Sequence, residues 1–291
     1  MEIAGSNPAG VASSRKSVTT FLRYHPATLT LFPVKIPALN TGSIGMKADY
    51  NDISKTYDRH RSFAGNQTRQ MVELGGIRAG TRILDLGCGT GNVATQLLEM
   101  IDVDITGIDA SIGMLRLARE KSLEVICSDV DNRALPFRDS TFDTVIGAYV
   151  IHHIHNIEFL FTECYRILQE GTLLLLTSSH RQIERSHPVV NQFFPSYVDI
   201  DKRRFPDLPV VDNLLRSAGF RDIQHEEVVV ENIAIDAEYL QKIKEKYVST
   251  YHLIPQSEFE LGVERLESFV ANRSQPAFTE WRGTLVCGRK N

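Results

Sequence analysis

An alternation of short apolar runs and amphipathic helical stretches, which starts near Tyr50 and continues to Thr177, constrains the fold most strongly. Strands joined by helices predict a parallel sheet covered by helices on both faces. The strand candidates are Arg82–Leu86, Val103–Ile108, Leu123–Cys127, Thr141–Ala148 and Leu173–Thr177. With later strands at Ile223–Val230 and Trp281–Gly288, the sequence predicts a doubly wound α/β fold whose mostly parallel sheet has seven strands.

Helical periods fill the connections between these strands. A helix is predicted from Asn92, and Ser111 can cap a second helix after the second strand. That second helix is expected to bury Ile112, Leu115 and Ala118, which recur at helical spacing.

The later part of the chain departs from simple alternation. A helix over Asn156–Leu168 is expected to end at Gly171. The proline-rich segment His187–Pro209 suits an irregular loop or a short cover over a site better than regular structure. Ser257 and Glu260 fit a capping box. Further helices are predicted at Val211–Ala218, Asp236–Tyr247 and Ser257–Ala271.

Composition narrows the range of partners. The chain has 291 residues, 42% of them apolar, and a net charge of -4, so it can bury a large core but has no field that would gather nucleic acid or an anionic membrane. Its apolar runs have the length of strands and are too short to span a bilayer. A small-molecule partner is therefore predicted, with no nucleic acid and no membrane, and the oligomeric state stays open.

The cysteines are scattered along the chain. They show neither a CxxC pair nor another metal-ligand spacing, which predicts reduced thiols, a cytoplasmic location and no metal site. The four residues are Cys88, Cys127, Cys164 and Cys287.

A glycine-rich segment lies directly after the first strand and directly before a helix. Glycine lets a ligand approach the backbone, which favours a nucleotide-like ligand, although a turn that needs positive φ would also select glycine. A dinucleotide fingerprint would place its third glycine at position 92, which is Asn92 here. The glycines are instead Gly87, Gly89 and Gly91.

Acidic residues follow the next two strands. Asp109 lies 22 residues after Gly87 and can accept both hydroxyls of a ribose, a role that also exists in NAD enzymes. The alternative for Asp109 is a helix N-cap. Asp129 can accept from the exocyclic amine of adenine, while the amide of Val130 can donate to a ring nitrogen.

Taken together, the early third glycine, Asp109 and the array around Asp129 resemble the class I, Rossmann-like, S-adenosylmethionine-dependent methyltransferases. The resemblance covers about residues 50–176 and points to the group that includes quinone-ring C-methyltransferases. It implies the class I methyltransferase fold, S-adenosylmethionine as cofactor and methyl transfer to a small-molecule acceptor by in-line displacement. Cofactor contacts carried over from the family fall on Tyr57, Asp85, Gly87, Cys88, Gly89, Thr90, Gly91, Asp109, Ala110, Met114, Ser128, Asp129, Val130 and Ala148.

The same resemblance suggests a division of the chain. Residues 1–45 lack a sustained period and are expected to be disordered or foreign to the native protein, in which case translation starts at Met46. Residues 46–291 are expected to form one domain without a second core. Within it, we expect a lid helix at 46–75 that closes Tyr57 over the cofactor, a cofactor-binding core at 80–178, and helical or loop insertions that cover the active site at 179–291.

Catalytic candidates follow the fourth strand. A sulfonium is already an activated methyl donor, so alignment and exclusion of water matter more than side-chain chemistry. Tyr149 and His152 are the candidate catalytic residues, with a structural role for the histidine as the alternative. His152, His153 and His155 do not converge on one helical face, which argues against a metal site.

Two other functions stay open. An NAD-dependent oxidoreductase would share Asp109 but predicts a pyrophosphate loop. A non-catalytic or regulatory S-adenosylmethionine-binding protein would keep all the cofactor residues. Acceptor-pocket candidates, for which a core position is the alternative, are Phe193, Phe194, Tyr197, Tyr247, Tyr251 and His252.

Overall fold

The computed structural model describes residues 50–60, 65–131, 133–186, 188–273, 275 and 277–291. The expectations for residues 1–45 and for a start at Met46 lie outside these residues. The described strands are β1 (Arg82–Leu86), β2 (Asp104–Asp109), β3 (Glu124–Cys127), β4 (Phe142–Ala148), β5 (Leu168–Thr177), β6 (Arg221–Ile235) and β7 (Ala277–Lys290).

Helices alternate with the strands along most of the chain. The described α-helices are α1 (Tyr50–His60), α2 (Gly65–Gly75), α3 (Asn92–Met100), α4 (Ile112–Glu120), α5 (Ile157–Ile167), α6 (His180–Arg185), α7 (Pro188–Asn191), α8 (Ser196–Arg204), α9 (Leu208–Ala218), α10 (Ala237–Lys244) and α11 (Gln256–Ala271). Short 3-10 turns are found at Ile151–His153 and Ser249–His252. None of the helices among the described residues is both long and apolar enough to cross a membrane.

The strands form a seven-stranded sheet in the order β3-β2-β1-β4-β5-β7-β6. The first five strands pair in parallel, and β7 pairs antiparallel with both β5 and β6. Strand order reverses between β1 and β4, so the loops after these two strands diverge and leave a crevice at the carboxyl edge. The predicted doubly wound, mostly parallel fold is confirmed.

Neighbouring residues of β1 face opposite sides of the sheet, because side chains alternate along a strand. Ile83 belongs to an apolar cluster that contains Met71 of α2 and Leu97 of α3. Leu84 belongs to a second cluster, which contains Phe161 of α5. Each face of the sheet is thus covered by helices, which explains why the central strands read as continuous apolar runs.

A third apolar cluster lies in the insertions. It unites α8, α10, α11 and the second 3-10 turn around aromatic side chains such as Phe194, Tyr239 and Tyr251, all of them buried. This cluster is additional to the two that cover the faces of the sheet. Its short segments share no common period, so periodicity did not predict that they pack on one another.

Four local predictions need correction. Ile112 is 58% exposed, whereas Met114, Leu115 and Ala118 are buried. At roughly 100° per residue, Ile112 lies outside the face that those three define. The capping box at Ser257 is absent because α11 already begins at Gln256, after Pro255, and the Glu260 carboxylate accepts from the Gln256 side chain instead.

The segment His187–Pro209 is largely helical and holds α7, α8 and the start of α9. Its prolines lie at helix starts: Pro188 opens α7, Pro195 precedes α8, and Pro209 lies in the first turn of α9. The backbone N–H groups in the first turn of a helix have no partner within that helix. Proline, which has no N–H, can therefore begin a helix without loss of a hydrogen bond. The segment also contributes to the cover over the site described below.

Gly171 does not end a helix. Helix α5 ends at Ile167, β5 begins at Leu168, and Gly171 lies inside β5 opposite Lys290 of β7. A Cβ added to Gly171 would overlap the carbonyl oxygen of Asp143, at the point where the register between β4 and β5 shifts. The glycine is required by this close approach of two backbones.

We predict that Gly171→Ala lowers the free energy of unfolding by about 1 to 3 kcal/mol, the usual cost of forcing an extra methyl group into a packed site. Urea denaturation of the variant measures the loss. Glu170→Ala is the matched control, because Glu170 is an exposed neighbour in the same strand. Equal stability of the two variants would contradict the close approach.

Candidate functional site

A cavity of about 380 Å³ lies at the carboxyl edge of the sheet, where the loops after β1, β2, β3 and β4 meet. Eleven of the residues predicted for the site line it. They are Tyr57, Gly87, Gly89, Asp109, Ala110, Met114, Asp129, Val130, Ala148, Tyr149 and His152. The predicted site residues belong to segments that are far apart in sequence. The parallel strands bring these segments together because their carboxyl ends lie at one edge of the sheet.

The three glycines of the loop after β1 have positive φ values of 67°, 55° and 79° at Gly87, Gly89 and Gly91. Their surroundings differ. A Cβ at Gly87 would overlap Val150, and a Cβ at Gly91 would overlap Leu123, so these two glycines permit tight packing within the protein. A Cβ at Gly89 would meet no atom within 4 Å, because this glycine faces the cavity.

Asp109 anchors the same loop from β2. Its carboxylate accepts from the backbone N–H of Gly89 at 2.9 Å and from that of Ser111 at 2.8 Å. Burial raises the pKa of Asp109, while these backbone donors oppose the rise. Helix α4 is capped by Ser111, whose hydroxyl accepts from the Met114 N–H, so the N-cap alternative for Asp109 is wrong.

Asp129 and Val130 line the cavity beyond Asp109. The Asp129 carboxylate accepts from the backbone N–H of Asp131 at 3.0 Å, which fixes the loop after β3. Met114, which is buried, reaches the cavity from α4. The cavity thus offers hydrogen-bonding groups beside an apolar surface, a combination that suits a flat heterocyclic ligand.

Five predicted cofactor contacts do not reach the cavity wall: Asp85, Cys88, Thr90, Gly91 and Ser128. Cys88 points beneath β2, where its sulfur would collide with any Cβ on Gly107, and burial raises the pKa of its thiol well above the usual range. The Thr90 hydroxyl donates to the Asp58 carboxylate. These residues support the loops on the side away from the cavity.

Asp85 is buried at the base of the loop. Burial first, and then the nearby charge of Asp109, raise the pKa of Asp85 to about 7. Its Oδ2 atom has no hydrogen-bond partner within the described part of the chain. A buried acid with an unsatisfied oxygen is costly, and such groups concentrate at functional sites.

Helix α1 closes one side of the cavity and brings Tyr57 to its wall. The Asn51 side chain accepts from the Ser111 hydroxyl at 3.0 Å and from the Gly113 N–H at 3.1 Å. At the other end of the helix, Asp58 forms a 2.7 Å ion pair with Lys121. Both ends of α1 are therefore fastened to α4 or to the residues around it.

The loop after β4 lines the opposite wall. Tyr149 has a φ of 52°, which is strained for a residue with a side chain, and its ring lies 4.9 Å from that of Trp281. The His152 ring stacks on Phe205 with centroids 3.9 Å apart. This wall presents flat aromatic surfaces at the place where the predicted catalytic residues lie.

Sequence reasoning missed a tyrosine–histidine pair in this wall. The Tyr50 hydroxyl and His153 Nε2 are 2.9 Å apart, and both residues line the cavity. Tyr50 and Tyr57 are seven residues apart, which places them on one face of a helix. That spacing could have suggested that both tyrosines reach the same site.

Among the six aromatic or ionisable residues proposed for the acceptor pocket, Tyr197 lines the cavity. Phe194, Tyr247 and Tyr251 are buried in the third cluster, with Phe193 packed against it. The His252 ring hydrogen-bonds to the Lys246 carbonyl oxygen. No group of three or more His, Cys, Asp or Glu residues in the described ranges is placed to hold a metal ion.

Comparison with known proteins identifies the core of the site. Residues 83–171, which run from β1 into β5, match the family model described as "Methyltransferase domain". Over this segment the chain is similar to the class I S-adenosylmethionine-dependent methyltransferases. That similarity supports S-adenosylmethionine as the cofactor.

The named relatives of this chain include two groups. Phosphoethanolamine N-methyltransferase 3 of Arabidopsis thaliana is 28% identical over 193 residues, which cover 63% of this chain and 38% of that protein. Demethylmenaquinone methyltransferase of Porphyromonas gingivalis is 27% identical over 220 residues, covering 64% of this chain and 89% of that protein. The chain thus spans well under half the length of the Arabidopsis relative.

Solved structures share the fold of this chain. An Anabaena variabilis protein described as a methyltransferase from an antibiotic biosynthesis pathway has a TM-score of 0.63 and 23% identity, covering 79% of this chain and 98% of its own. Haemonchus contortus phosphoethanolamine N-methyltransferase 2, in complex with phosphomonomethylethanolamine and S-adenosylhomocysteine, has a TM-score of 0.55 and 19% identity, covering 85% and 60%.

We predict that Asp85→Asn stabilises the protein more at pH 8 than at pH 5. The folded-state pKa of about 7 exceeds the unfolded value near 3.8, so ionisation of Asp85 costs stability as pH rises between these values. The difference in stabilisation should be on the order of 2 kcal/mol, measured by urea denaturation at both pH values.

Asp143→Asn is the control of opposite sign for this experiment. The hydrogen bond from Arg82 lowers the pKa of Asp143, so its charge stabilises the fold above the unfolded pKa and this contribution is lost in acid. Asp143→Asn should therefore destabilise the protein at neutral pH. Equal effects of Asp85→Asn at pH 5 and pH 8 would show that Asp85 is not desolvated as described.

We predict that Asp58→Asn speeds dissociation of S-adenosylhomocysteine about threefold to tenfold, because the variant loses the ion pair that fastens α1 to Lys121. Stopped-flow dissociation with excess S-adenosylmethionine measures the rate. Glu73→Gln on α2, an exposed acid, is the control. An unchanged rate in Asp58→Asn would argue that α1 does not hold the cofactor in place.

Proposed function

We propose that this protein transfers the methyl group of S-adenosylmethionine to a small-molecule acceptor by in-line displacement at the sulfonium. The observation that carries the proposal is the continuity of the cavity. Its cofactor side, with Gly89, Asp109 and Asp129, opens directly onto the aromatic wall that holds His152 and Trp281. One continuous cavity can therefore hold donor and acceptor side by side.

The residues on the cofactor side fit S-adenosylmethionine. Asp109 presents a buried carboxylate to the cavity and would accept the two ribose hydroxyls. Asp129 and Val130 would hold the adenine edge. Open space at Gly89 leaves room for the sulfonium-bearing chain. Asp85, with its orphaned oxygen, is placed behind the loop, where a cationic group of the ligand would favour its ionised form.

The chemistry that the bound cofactor supplies is an electrophilic methyl group. The protein has to align the acceptor and, where the acceptor loses a proton, receive that proton. The Tyr50–His153 pair is the best-placed base, because the tyrosine hydroxyl and the imidazole nitrogen are already hydrogen-bonded at the cavity wall. We propose that Tyr149 and His152 position the acceptor, as their stacking on Trp281 and Phe205 supports.

The class of partner follows from charge. A net charge of -4 supports a small-molecule acceptor over nucleic acid or an anionic membrane. Four free cysteines, three of them buried, support a reducing compartment, and we propose the cytoplasm. The named relatives methylate phosphoethanolamine and demethylmenaquinone, as their names state, which is consistent with small acceptors.

A second candidate is a protein that binds S-adenosylmethionine without transferring its methyl group. The [4+2]-cyclase SpnF shares this fold with a TM-score of 0.50 and 19% identity, covering 78% of this chain and 80% of its own, so the fold alone does not specify methyl transfer. An NAD-dependent oxidoreductase is disfavoured, because the loop after β1 has Asn92 where the pyrophosphate fingerprint needs glycine.

Calorimetric titration tests the cofactor half of the proposal. S-adenosylmethionine and S-adenosylhomocysteine should bind in the micromolar range, and NAD should not bind. Asp109→Ala should weaken both at least about 100-fold, because two hydrogen bonds to a charged group are lost. Asp109→Asn, which keeps the shape of the side chain, serves as the second variant, and thermal denaturation checks that both fold.

Turnover separates the enzyme from the binding-only alternative. The protein would be incubated with S-adenosylmethionine carrying a trideuterated methyl group and a fractionated small-molecule extract, with the Asp109→Ala variant as control. A labelled product formed together with S-adenosylhomocysteine supports transfer. Tight cofactor binding with no labelled product in any fraction would favour the binding-only function.

A further inference from the structure

A polar cluster lies in the part of the cavity that the cofactor residues leave open. It consists of Asp201 and Arg204 of α8 with Ser249 and Thr250 of the second 3-10 turn. Arg204 donates to the Asp201 carboxylate at 3.2 Å, to the Thr250 hydroxyl at 3.1 Å and to the Ser249 hydroxyl at 3.0 Å. Asp201, Ser249 and Thr250 line the cavity.

The hydroxyl of Ser249 is the donor that this cluster offers to a ligand. The Thr250 hydroxyl already donates its hydrogen to the Asp201 carboxylate at 2.7 Å. Ser249 instead accepts from the Arg204 guanidinium, so its own O–H can donate to a third group. A neighbouring cation polarises that hydroxyl and strengthens the hydrogen bond it donates. Ser249 is 8% exposed, so the bond would form away from bulk water.

The cluster offers no free cation to an anion. Asp201 is 6% exposed, lies at the cavity wall and forms an ion pair with Arg204. Arg204 does not line the cavity and donates to three acceptors within the cluster. A phosphate or carboxylate on the acceptor would therefore leave water without gaining a cationic partner among these four residues, which is costly.

The walls between this cluster and the cofactor residues are flat. His152 stacks on Phe205 with an angle of 13° between the rings, and Tyr149 packs on Trp281. The Tyr149 and Trp281 rings are tilted by 38° to each other. Aromatic surfaces on the wall of a cavity favour a planar ring as the occupant.

We propose that Asp201, Arg204, Ser249 and Thr250 form the recognition site for the methyl acceptor, and that they select an uncharged ring compound that offers a hydroxyl or carbonyl oxygen to Ser249. Asp201 sets the charge preference because it holds Arg204 in an ion pair and so leaves no cation free for an anionic substituent. The proposal rests on the proposed function, because it concerns the acceptor side of the same cavity. It separates the acceptor of this protein from phosphoethanolamine, whose phosphate is an anion.

The test uses the full chain saturated with S-adenosylhomocysteine and three probes measured by calorimetry or ligand-observed NMR. The first two probes, 4-hydroxybenzyl alcohol and 4-hydroxybenzoate, differ in charge but share the ring and the phenol, and the third is phosphoethanolamine. The neutral alcohol should bind at least about tenfold more tightly than either anion. Saturation with S-adenosylhomocysteine is established first, so its failure would count against the proposed function and not against this inference alone.

Variants assign the preference to the cluster. Ser249→Ala should weaken binding of 4-hydroxybenzyl alcohol about threefold to tenfold, with no change for S-adenosylhomocysteine, because one hydrogen bond is lost. Asp201→Asn should reduce the preference for the alcohol over the benzoate at least about tenfold. Ser257→Ala, an exposed serine on α11, is the matched control. Ser249→Ala leaves the Asp201–Arg204 pair intact and keeps the test valid should Asp201→Asn fail to fold.

Three results would overturn the inference. The first is binding of 4-hydroxybenzoate or phosphoethanolamine as tightly as the neutral alcohol. The second is an unchanged affinity of the alcohol in Ser249→Ala. The third is no binding of the alcohol to a protein that does bind S-adenosylhomocysteine.

Discussion

The turn after β1 strongly favours glycine, and the cofactor side of the cavity depends on that turn. Gly87, Gly89 and Gly91 all have left-handed backbone conformations, which side chains make costly. The turn aims the Gly89 N–H at the Asp109 carboxylate, so the loop after β1 and the end of β2 hold each other in place. Without this hydrogen bond, neither the open space at Gly89 nor the carboxylate that faces it would be fixed.

Two differently built walls enclose the cavity. The cofactor side rests on the parallel strands, whose side chains are packed between helices on both faces of the sheet. The proposed acceptor side is made by the loop after β4 together with the insertions, which rest on the third apolar cluster. Helix α1 joins the two sides, since it is fastened near α4 by Asn51 and contacts the loop after β4 through the Tyr50–His153 hydrogen bond. Under the proposed function, the sheet places the donor, and the loop after β4 with the insertions selects the acceptor.

The sequence predicted best where the chemistry is local. Strand periodicity and the positions that follow each strand were enough to place Asp109 and Asp129 at one edge of the sheet. It predicted poorly where distant segments pair. No periodicity in the sequence indicates the contact of His153 with Tyr50 or that of Asp201 with Thr250. The error at Gly171 has the same origin. The glycine is required by the close backbone of a neighbouring strand, and the rule for helix ends takes no account of such a contact.

Under the proposed function, S-adenosylmethionine lies in the crevice between β1 and β4 with its sulfur toward the aromatic wall. A crystal structure of the protein with S-adenosylhomocysteine would show whether it does. We expect both ribose hydroxyls within hydrogen-bonding distance of the Asp109 carboxylate, about 2.5 to 3.0 Å, and the sulfur on the side of His152 and Trp281. A product molecule bound away from Asp109, or turned so that its sulfur faces away from that wall, would contradict it.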